Sequence, residues 1–198
     1  MAALIVVAGT TGCAGPAHEA RPAATTSERP VIEPAAPTTQ PDPAVLPASP
    51  PVRVQVASIG VDSGLLDLDL QPDGSLEVPP DGTSAGWYTG SPTPGELGPA
   101  VIAGHVDWDG DPGVFYRLRD LQEGDEITVL REDRTVAVFV VTGVEQFAKD
   151  EFPTETVYGD IDHAGLRLIT CGGSFDAGAR SYDDNIVVFA ELDRLLTA

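Results

Sequence analysis

The chain has 198 residues and a formal net charge of −20 at pH 7, with 31 acidic against 11 basic side chains. Such an acidic surface repels phosphate backbones and anionic lipid headgroups, so the composition argues against nucleic-acid binding. The length allows one compact domain together with additional segments.

The N-terminal part of the chain does not have the composition of a folded domain. Residues 1–9 form an apolar run that suits the core of an export signal but is too short to span a bilayer, which needs about 20 residues. Cys13 follows small residues, as at a bacterial lipoprotein processing site. We expect residues 1–15 to be a signal or anchor, with lipidation of Cys13, an ordinary signal and an incidental apolar tail all left open. Residues 16–51 are rich in Pro, Ala and Thr, which predicts a disordered linker.

From residue 52 the pattern changes to that of β-strands, and residues 52–198 are predicted to form the folded domain. Alternating or continuous apolar runs indicate about eight strands, at residues 52–56, 65–70, 76–78, 101–105, 125–130, 136–144, 166–171 and 186–192. Helical signal is limited to one or two turns at 114–121 and a short tail at 193–197. Closely spaced strands with Gly and Pro turns favour an all-β barrel or sandwich.

Two of these strands end on side chains that can do chemistry. One ends at Cys171, the only cysteine after residue 51, and another ends at His105, while Arg180 precedes the last strand. A thiol, an imidazole and a guanidinium are the nucleophile, proton carrier and oxyanion donor that cysteine-based acyl transfer requires. Plainer interpretations remain: a buried structural cysteine, a loop histidine and a surface charge.

A second histidine and an acidic run compete for a functional role. His163 lies in a polar turn, which favours a structural role for it. Residues 107–113 imitate a calcium loop, but Pro112 and Leu118 stand where the EF-hand template needs Gly and Glu. The sequence therefore predicts no cofactor, and the alternative is a weak calcium site at Asp107, Asp109 and Asp111.

The segments around the cysteine and the histidine resemble a known family. Residues 168–171, Leu-Ile-Thr-Cys, resemble the Thr-Leu-x-Thr-Cys signature of sortases, and residues 104–107, Gly-His-Val-Asp, resemble the sortase histidine motif. The actinobacterial class F group is the most similar one. The stretches that carry this likeness are residues 170–176, Tyr182, Asp184, Asn185 and residues 187–190. The resemblance extends over roughly residues 52–192.

This resemblance implies a closed eight-stranded sortase-type β-barrel with short helical turns, preceded by the disordered linker of residues 16–51. It implies that Cys171 is the nucleophile, His105 the acid/base and Arg180 the donor to the oxyanion or substrate. Better-known sortases have their arginine further along, where this chain has Asp183 and Asp184. The implied reaction is cleavage of an LPXTG-type sorting signal between Thr and Gly through a thioester, followed by transfer to an amine.

The resemblance also implies partners and a location. The substrates would be surface proteins with such signals, and the acceptor a peptidoglycan precursor or a pilin amine. The protein would act at the extracytoplasmic face of the bacterial membrane or in the cell wall, held by its N-terminal segment or by a lipid on Cys13. Two alternatives are an exported cysteine peptidase that releases the thioester to water and a non-catalytic exported β-barrel that binds a wall polymer or peptide.

Overall fold

The computed structural model describes residues 45–178 and 180–197. This part of the chain contains ten strands: β1 (Pro51–Val56), β2 (Val61–Leu68), β3 (Ala85–Tyr88), β4 (Gly98–Gly104), β5 (Asp107–Trp108), β6 (Asp111–Pro112), β7 (Glu126–Arg131), β8 (Thr135–Ala148), β9 (Ala164–Asp176) and β10 (Ser181–Thr197). Eight of them form a closed barrel in the order β1-β2-β3-β4-β9-β10-β8-β7, and β5 and β6 form a separate hairpin. The expectation of a closed eight-stranded barrel is confirmed.

The interior of the barrel is filled with side chains. Alternate residues of each strand point inward, so Leu166 and Leu168 of β9 meet Ala100 and Ile102 of β4, and all four are fully buried. Burying a Leu or Ile side chain contributes roughly 1.5–3 kcal/mol each before the entropy of ordering is counted. Because this interior is a packed core, a functional site has to lie at a rim or on the outer surface.

A second, smaller apolar cluster covers part of the outer surface. Val101, Ile169 and Val187 lie on the outer side of β4, β9 and β10, where they pack with Val157 of helix α1 (Thr154–Tyr158). This helix and the 3-10 turn Lys149–Glu151 form the connection from β8 to β9, where the sequence predicted no element. The cluster therefore attaches this connection to the barrel wall.

The structure corrects two strand and helix predictions. Residues 76–78 are not a barrel strand, because Leu76 makes only an isolated bridge with Leu70, and the unpredicted β3 occupies a place in the barrel beside β2. The predicted helical tail at 193–197 is also wrong. These residues extend β10 along β8, where Leu195 pairs with Ala137, since a short isolated helix is marginal and strand pairing satisfies the same backbone groups.

The packed part of the chain begins before the predicted boundary at residue 52. Leu46 is 5% exposed, and its N–H donates to the Gly95 carbonyl at 2.7 Å. The buried Arg131 guanidinium donates to the Pro47 carbonyl. Pairing of these backbone groups explains why Pro-rich sequence can belong to the folded region. The predicted segment 1–15, Cys13 and the linker up to residue 44 lie outside the described residues.

Helices are few and short in the described region. The longest has five residues, and within residues 45–178 and 180–197 none has the length and apolar character needed to cross a membrane.

Candidate active site

Strand pairing brings His105 and Cys171 to the same edge of the barrel. Strands β4 and β9 run parallel, and Ala103 pairs with Ile169. His105 and Cys171 each follow two residues later, so they occupy equivalent positions where the two neighbouring strands leave their pairing. Both residues lie on the outward side, because Ala100 and Ile102 point inward on β4 and Leu166 and Leu168 do so on β9.

The thiol of Cys171 is half-exposed and free. The ammonium of Lys149 lies 3.7 Å from its sulfur and also donates a hydrogen bond of 3.0 Å to the Ser181 hydroxyl. The next residue, Gly172, points the other way, and a Cβ there would lie 2.7 Å from Cγ1 of Ile186. Glycine at this position thus lets the wall of the barrel close directly beneath the thiol.

The His105 ring is held from two sides. Its Nε2 lies 2.8 Å from the Pro79 carbonyl oxygen, and its ring centroid lies 4.7 Å from that of Trp108 at an interplanar angle of 55°. A carbonyl oxygen only accepts, so Nε2 carries the proton in this contact, and in the neutral ring Nδ1 carries the lone pair. The contact fixes both the tautomer and the orientation of the imidazole.

A pocket of about 810 Å³ opens beside the two residues on the outer surface of the barrel. Its wall is mostly apolar and aromatic, and His105, Lys149, Cys171 and Asn185 are among its polar lining residues. The apolar and aromatic lining residues are Leu70, Leu76, Val78, Tyr88, Phe152, Tyr158 and Ile169. A largely apolar pocket with a few convergent polar groups is typical of a site that binds an organic ligand or peptide.

A tyrosine and an aspartate tie the β10 side of the site to the β5–β6 hairpin. The Tyr182 hydroxyl donates a hydrogen bond to Oδ2 of Asp107, two residues after His105. The carboxylate stabilises the neutral phenol and raises the pKa of Tyr182 to about 12. Phe175 packs against the Tyr182 ring with centroids 5.2 Å apart. These contacts connect the segment after His105 to the strand that pairs with Cys171.

The family follows from the match to a sortase-domain family profile, which covers residues 54–193. The chain belongs to the sortase family. Sortases are cysteine transpeptidases that act at the surface of bacterial cells, which agrees with a free thiol and an imidazole at one rim of a closed barrel.

Solved sortase structures share the fold of this sortase. The SrtA sortase from Actinomyces oris has a TM-score of 0.54 and 26% identity, covering 78% of this chain and 86% of that chain. Sortase A from Listeria monocytogenes has a TM-score of 0.56 and 18% identity, covering 75% of this chain and 90% of that chain. Sortase C-1 from Actinomyces oris has a TM-score of 0.54 and 17% identity, covering 71% of this chain and 72% of that chain. Among curated protein sequences, none matches this chain.

Arg180 does not line the pocket of this sortase. It occupies the turn between β9 and β10, is exposed, and has a φ of 53°. Ser181 pairs with Asp176, five residues beyond Cys171. The turn is nevertheless close to the thiol, because the Lys149 ammonium lies 3.7 Å from the Cys171 sulfur and 3.0 Å from the hydroxyl of Ser181, the residue after Arg180. Arg180 is not among the residues that line the pocket, so the structure brings together two of the three residues that the sequence indicated.

His163 lies at the other end of β9 from the thiol. It comes directly before Ala164, the first residue of β9, so it is roughly 26 Å from Cys171 at the ordinary rise of a strand. Its Nδ1 is 3.1 Å from Asp162 Oδ1, and its Nε2 is 3.7 Å from Glu191 Oε1. Its carbonyl accepts from the Gly98 N–H, so His163 helps to start the β4–β9 pairing.

The acidic run after His105 does not gather into a metal site. Within the described parts of the chain, no group of three or more His, Cys, Asp or Glu side chains is arranged to hold a metal ion. Asp109 has a φ of 51° at the tip of the β5–β6 hairpin, and Asp107 accepts from Tyr182. The residues named for a calcium site, Asp107, Asp109 and Asp111, therefore build a hairpin.

Two residues of the site were not assigned a role from the sequence. Lys149 is the only lysine in the chain, which the composition already shows. Nothing in its local sequence indicates that it reaches Cys171. Asn185 pairs directly with Cys171 across the β9–β10 ladder and lines the pocket. Both positions follow from strand register, which a single sequence does not supply.

Proposed function

We propose that this sortase cleaves an LPXTG-type sorting signal between Thr and Gly and transfers the new carboxyl end to an amine. The observation that carries the proposal is the meeting of Cys171 and His105 at the ends of two parallel strands, beside a largely apolar pocket on the outer surface. A pocket of this kind suits the apolar side chains of an extended peptide, whose scissile bond would lie against Cys171 and His105.

In this mechanism the Cys171 thiolate attacks the Thr carbonyl carbon and forms a tetrahedral intermediate. The C–N bond to Gly then breaks as His105, in its protonated form, donates a proton to the leaving amine. The acyl group remains on the sulfur as a thioester. An incoming amine attacks this thioester, loses a proton to His105 and expels the thiolate, so the enzyme returns to its starting state.

Arg180 is proposed as a donor to the carbonyl oxygen of the substrate. It is the only arginine between Cys171 and Asp193, and a guanidinium offers a planar fork of donors that suits a developing oxyanion. Since Arg180 lies in the turn of the β9–β10 hairpin, outside the pocket, this role requires the turn to approach the pocket when the peptide is bound.

The cellular setting is proposed on the same basis. The class F assignment rests on residues 170–176 and 187–190, and anchoring rests on the apolar run and Cys13 near the N-terminus. The substrates would be surface proteins, and the acceptor a peptidoglycan precursor or pilin amine.

Intact-mass analysis with an LPXTG-type peptide tests the proposed reaction. We expect the parent protein to gain the mass of the peptide up to Thr and to lose it when hydroxylamine is added, because a thioester is attacked by amines. The Cys171→Ala variant should gain no mass, and neither should the parent protein with a peptide of scrambled order.

The fate of the thioester separates transfer from hydrolysis. With an added glycine-based amine, a transpeptidase yields the peptide–amine conjugate, whereas a hydrolase yields the free carboxylic acid at the same rate with or without the amine. Absence of any adduct or cleavage product with the parent protein would contradict the proposed function.

A further inference from the structure

We propose that Lys149 is a catalytic residue of this site, and that its ammonium group stabilises the thiolate of Cys171. The proposal deepens the proposed function, because it assigns the positive charge that the nucleophile needs to a residue outside the Cys–His–Arg set. Its ammonium nitrogen lies 3.7 Å from the sulfur, and no other lysine exists in the 198 residues.

The position of Lys149 follows from the register of three strands. On β10, Asp184 pairs with Ala148 of β8 on one side and with Gly172 of β9 on the other. Lys149 directly follows Ala148, and Cys171 directly precedes Gly172. A lysine side chain is long enough to cross the single intervening strand, so the backbone already places the ammonium group within reach of the thiol.

A hydrogen bond holds the ammonium group in this place. Lys149 donates to the Ser181 hydroxyl at 3.0 Å, and that hydroxyl is in turn 3.2 Å from the Tyr182 carbonyl. Fixing a lysine side chain costs up to roughly 2 kcal/mol of conformational entropy, which the contact with Ser181 offsets in part. Lys149 therefore has a defined partner other than the thiol.

The electrostatic surroundings leave Lys149 available to the sulfur. It is the one Lys, Arg, Asp or Glu among the residues that line the pocket. Within residues 45–178 and 180–197, no carboxylate forms an ion pair with it. Nearby carboxylates have other partners: Asp107 accepts from Tyr182, and Asp184 accepts from Gln146.

Several titratable groups face Cys171 from the elements around it. Lys149 comes from the turn after β8, His105 from the end of β4, and Tyr182 from β10, with Asp107 of the β5–β6 hairpin behind Tyr182. Asp184 of β10 lies against Gly173. Of these groups, Lys149 is the basic side chain whose ammonium is in direct contact with the sulfur, at 3.7 Å.

This charge acts in both halves of the reaction. Before acylation the thiol loses its proton to His105 or to solvent, and the sulfur becomes an anion that the ammonium stabilises. When the acceptor amine attacks the thioester, the C–S bond breaks and the same anion leaves. Lys149 therefore favours formation of the nucleophile and departure of the leaving group, and it is neither consumed nor deprotonated.

Alkylation of Cys171 by iodoacetamide tests the proposal without any peptide substrate. At about pH 7 the alkylation rate of Lys149→Met should fall about fivefold, the size expected for losing a unit charge about 4 Å away in a water-like dielectric. Lys149→Arg, which keeps the charge, should stay within about twofold of the parent rate by the same argument. The defect of Lys149→Met should disappear at about pH 10, above the ordinary pKa of a thiol, where the thiolate forms without help.

Two further variants control for charge and folding. Arg53→Gln removes the same charge from an exposed side chain on β1 and should leave the alkylation rate unchanged. Ser181→Ala keeps the charge but removes its hydrogen-bond partner, and it should reduce the rate less than Lys149→Met does. Thermal unfolding of each variant shows whether the barrel is intact. A parental rate for Lys149→Met at about pH 7, or a loss that persists at about pH 10, overturns the proposal.

The test remains separate from that of the proposed function. If the parent protein forms no adduct with an LPXTG-type peptide while its alkylation still depends on Lys149, the substrate assignment fails and the role of Lys149 stands. If the adduct forms normally but the alkylation rate does not depend on Lys149, the substrate assignment stands and the role of Lys149 fails.

Discussion

The two faces of strand β9 differ in what they contribute to this sortase. The inward residues Leu166 and Leu168 are fully buried in the core, whereas on the outward face Ile169 lines the pocket and Cys171 is half-exposed beside it. Because side chains alternate along a strand, one segment supplies both the centre of the barrel and the nucleophile. We therefore expect stability and reactivity to depend on alternate residues of β9 and to respond separately to substitution.

The outward face itself changes character along its length. Arg167 is buried, with its guanidinium carbon 4.6 Å from the centroid of the Phe189 ring, and burial lowers the pKa of its side chain. Ile169 follows in the apolar cluster, and Cys171 lies at the open end. Arg167 therefore packs against the outer surface of the barrel, four residues before Cys171. This packing explains why its guanidinium does not reach the active site.

The strongest test of the outward face concerns His105. His105→Ala should lower the rate of peptide cleavage by roughly 100- to 10,000-fold, the range for removing a general acid or base. The variant should unfold near the parental temperature, because its side chain lies at the rim and outside the core cluster. His163→Ala, at the far end of β9, is the matched control and should cleave at nearly the parental rate. The reverse order of the two rates would show that the acid/base was misassigned.

A smaller loss is expected at Arg180, beyond the barrel rim. Arg180→Ala should slow single-turnover acylation on the order of 100- to 1,000-fold, as for an oxyanion donor, and Arg180→Lys should be nearly as slow because it lacks the planar fork. Iodoacetamide should still alkylate Cys171 in both variants. If Arg180→Ala acylates within a few-fold of the parent, Arg180 is a surface charge, and the Asn185 amide in the pocket becomes the next donor to test.

The inward face should show the opposite response. Leu168→Ala should lower the free energy of unfolding by about 2–5 kcal/mol, because it leaves a cavity in a fully packed interior. Leu168→Met, which keeps the volume, should cost less than about 1.5 kcal/mol. Chemical denaturation measures both values. The fraction that remains folded should alkylate Cys171 at the parental rate, and a clear change in that rate would mean that the two faces are coupled.

Much of the barrel could be predicted because most of its strands are apolar or alternating runs of ordinary length. The clearest cases are β4, a continuous apolar segment, and the apolar stretch of β9 that ends at Cys171. In contrast, β3 is only four residues, Ala-Gly-Trp-Tyr, and it is held by parallel pairing with β2, a long-range contact that leaves no local pattern. The core position of Leu46 was missed for a similar reason, since its contacts are with Gly95 and its own surroundings are Pro-rich.

The site could be predicted only in part. Cys171 and His105 follow strands whose apolar character marks where each strand ends, so the sequence indicates two reactive side chains at strand ends. Lys149 lies in an acidic stretch after a strand that is not adjacent to β9, and only the register through β10 brings it to the sulfur. Arg180 was predicted as the only arginine between Cys171 and Asp193, and it remains a prediction, since it does not line the pocket.

The presence of a single lysine also bears on side reactions. A thioester that waits for an amine is exposed to every amine nearby, and many proteins carry lysines over their whole surface. In this chain the only lysine amine is Lys149, which is held by Ser181. An amine in its charged form has no lone pair with which to attack. The chain therefore offers its own thioester a single lysine, Lys149, and in its charged form this lysine cannot attack.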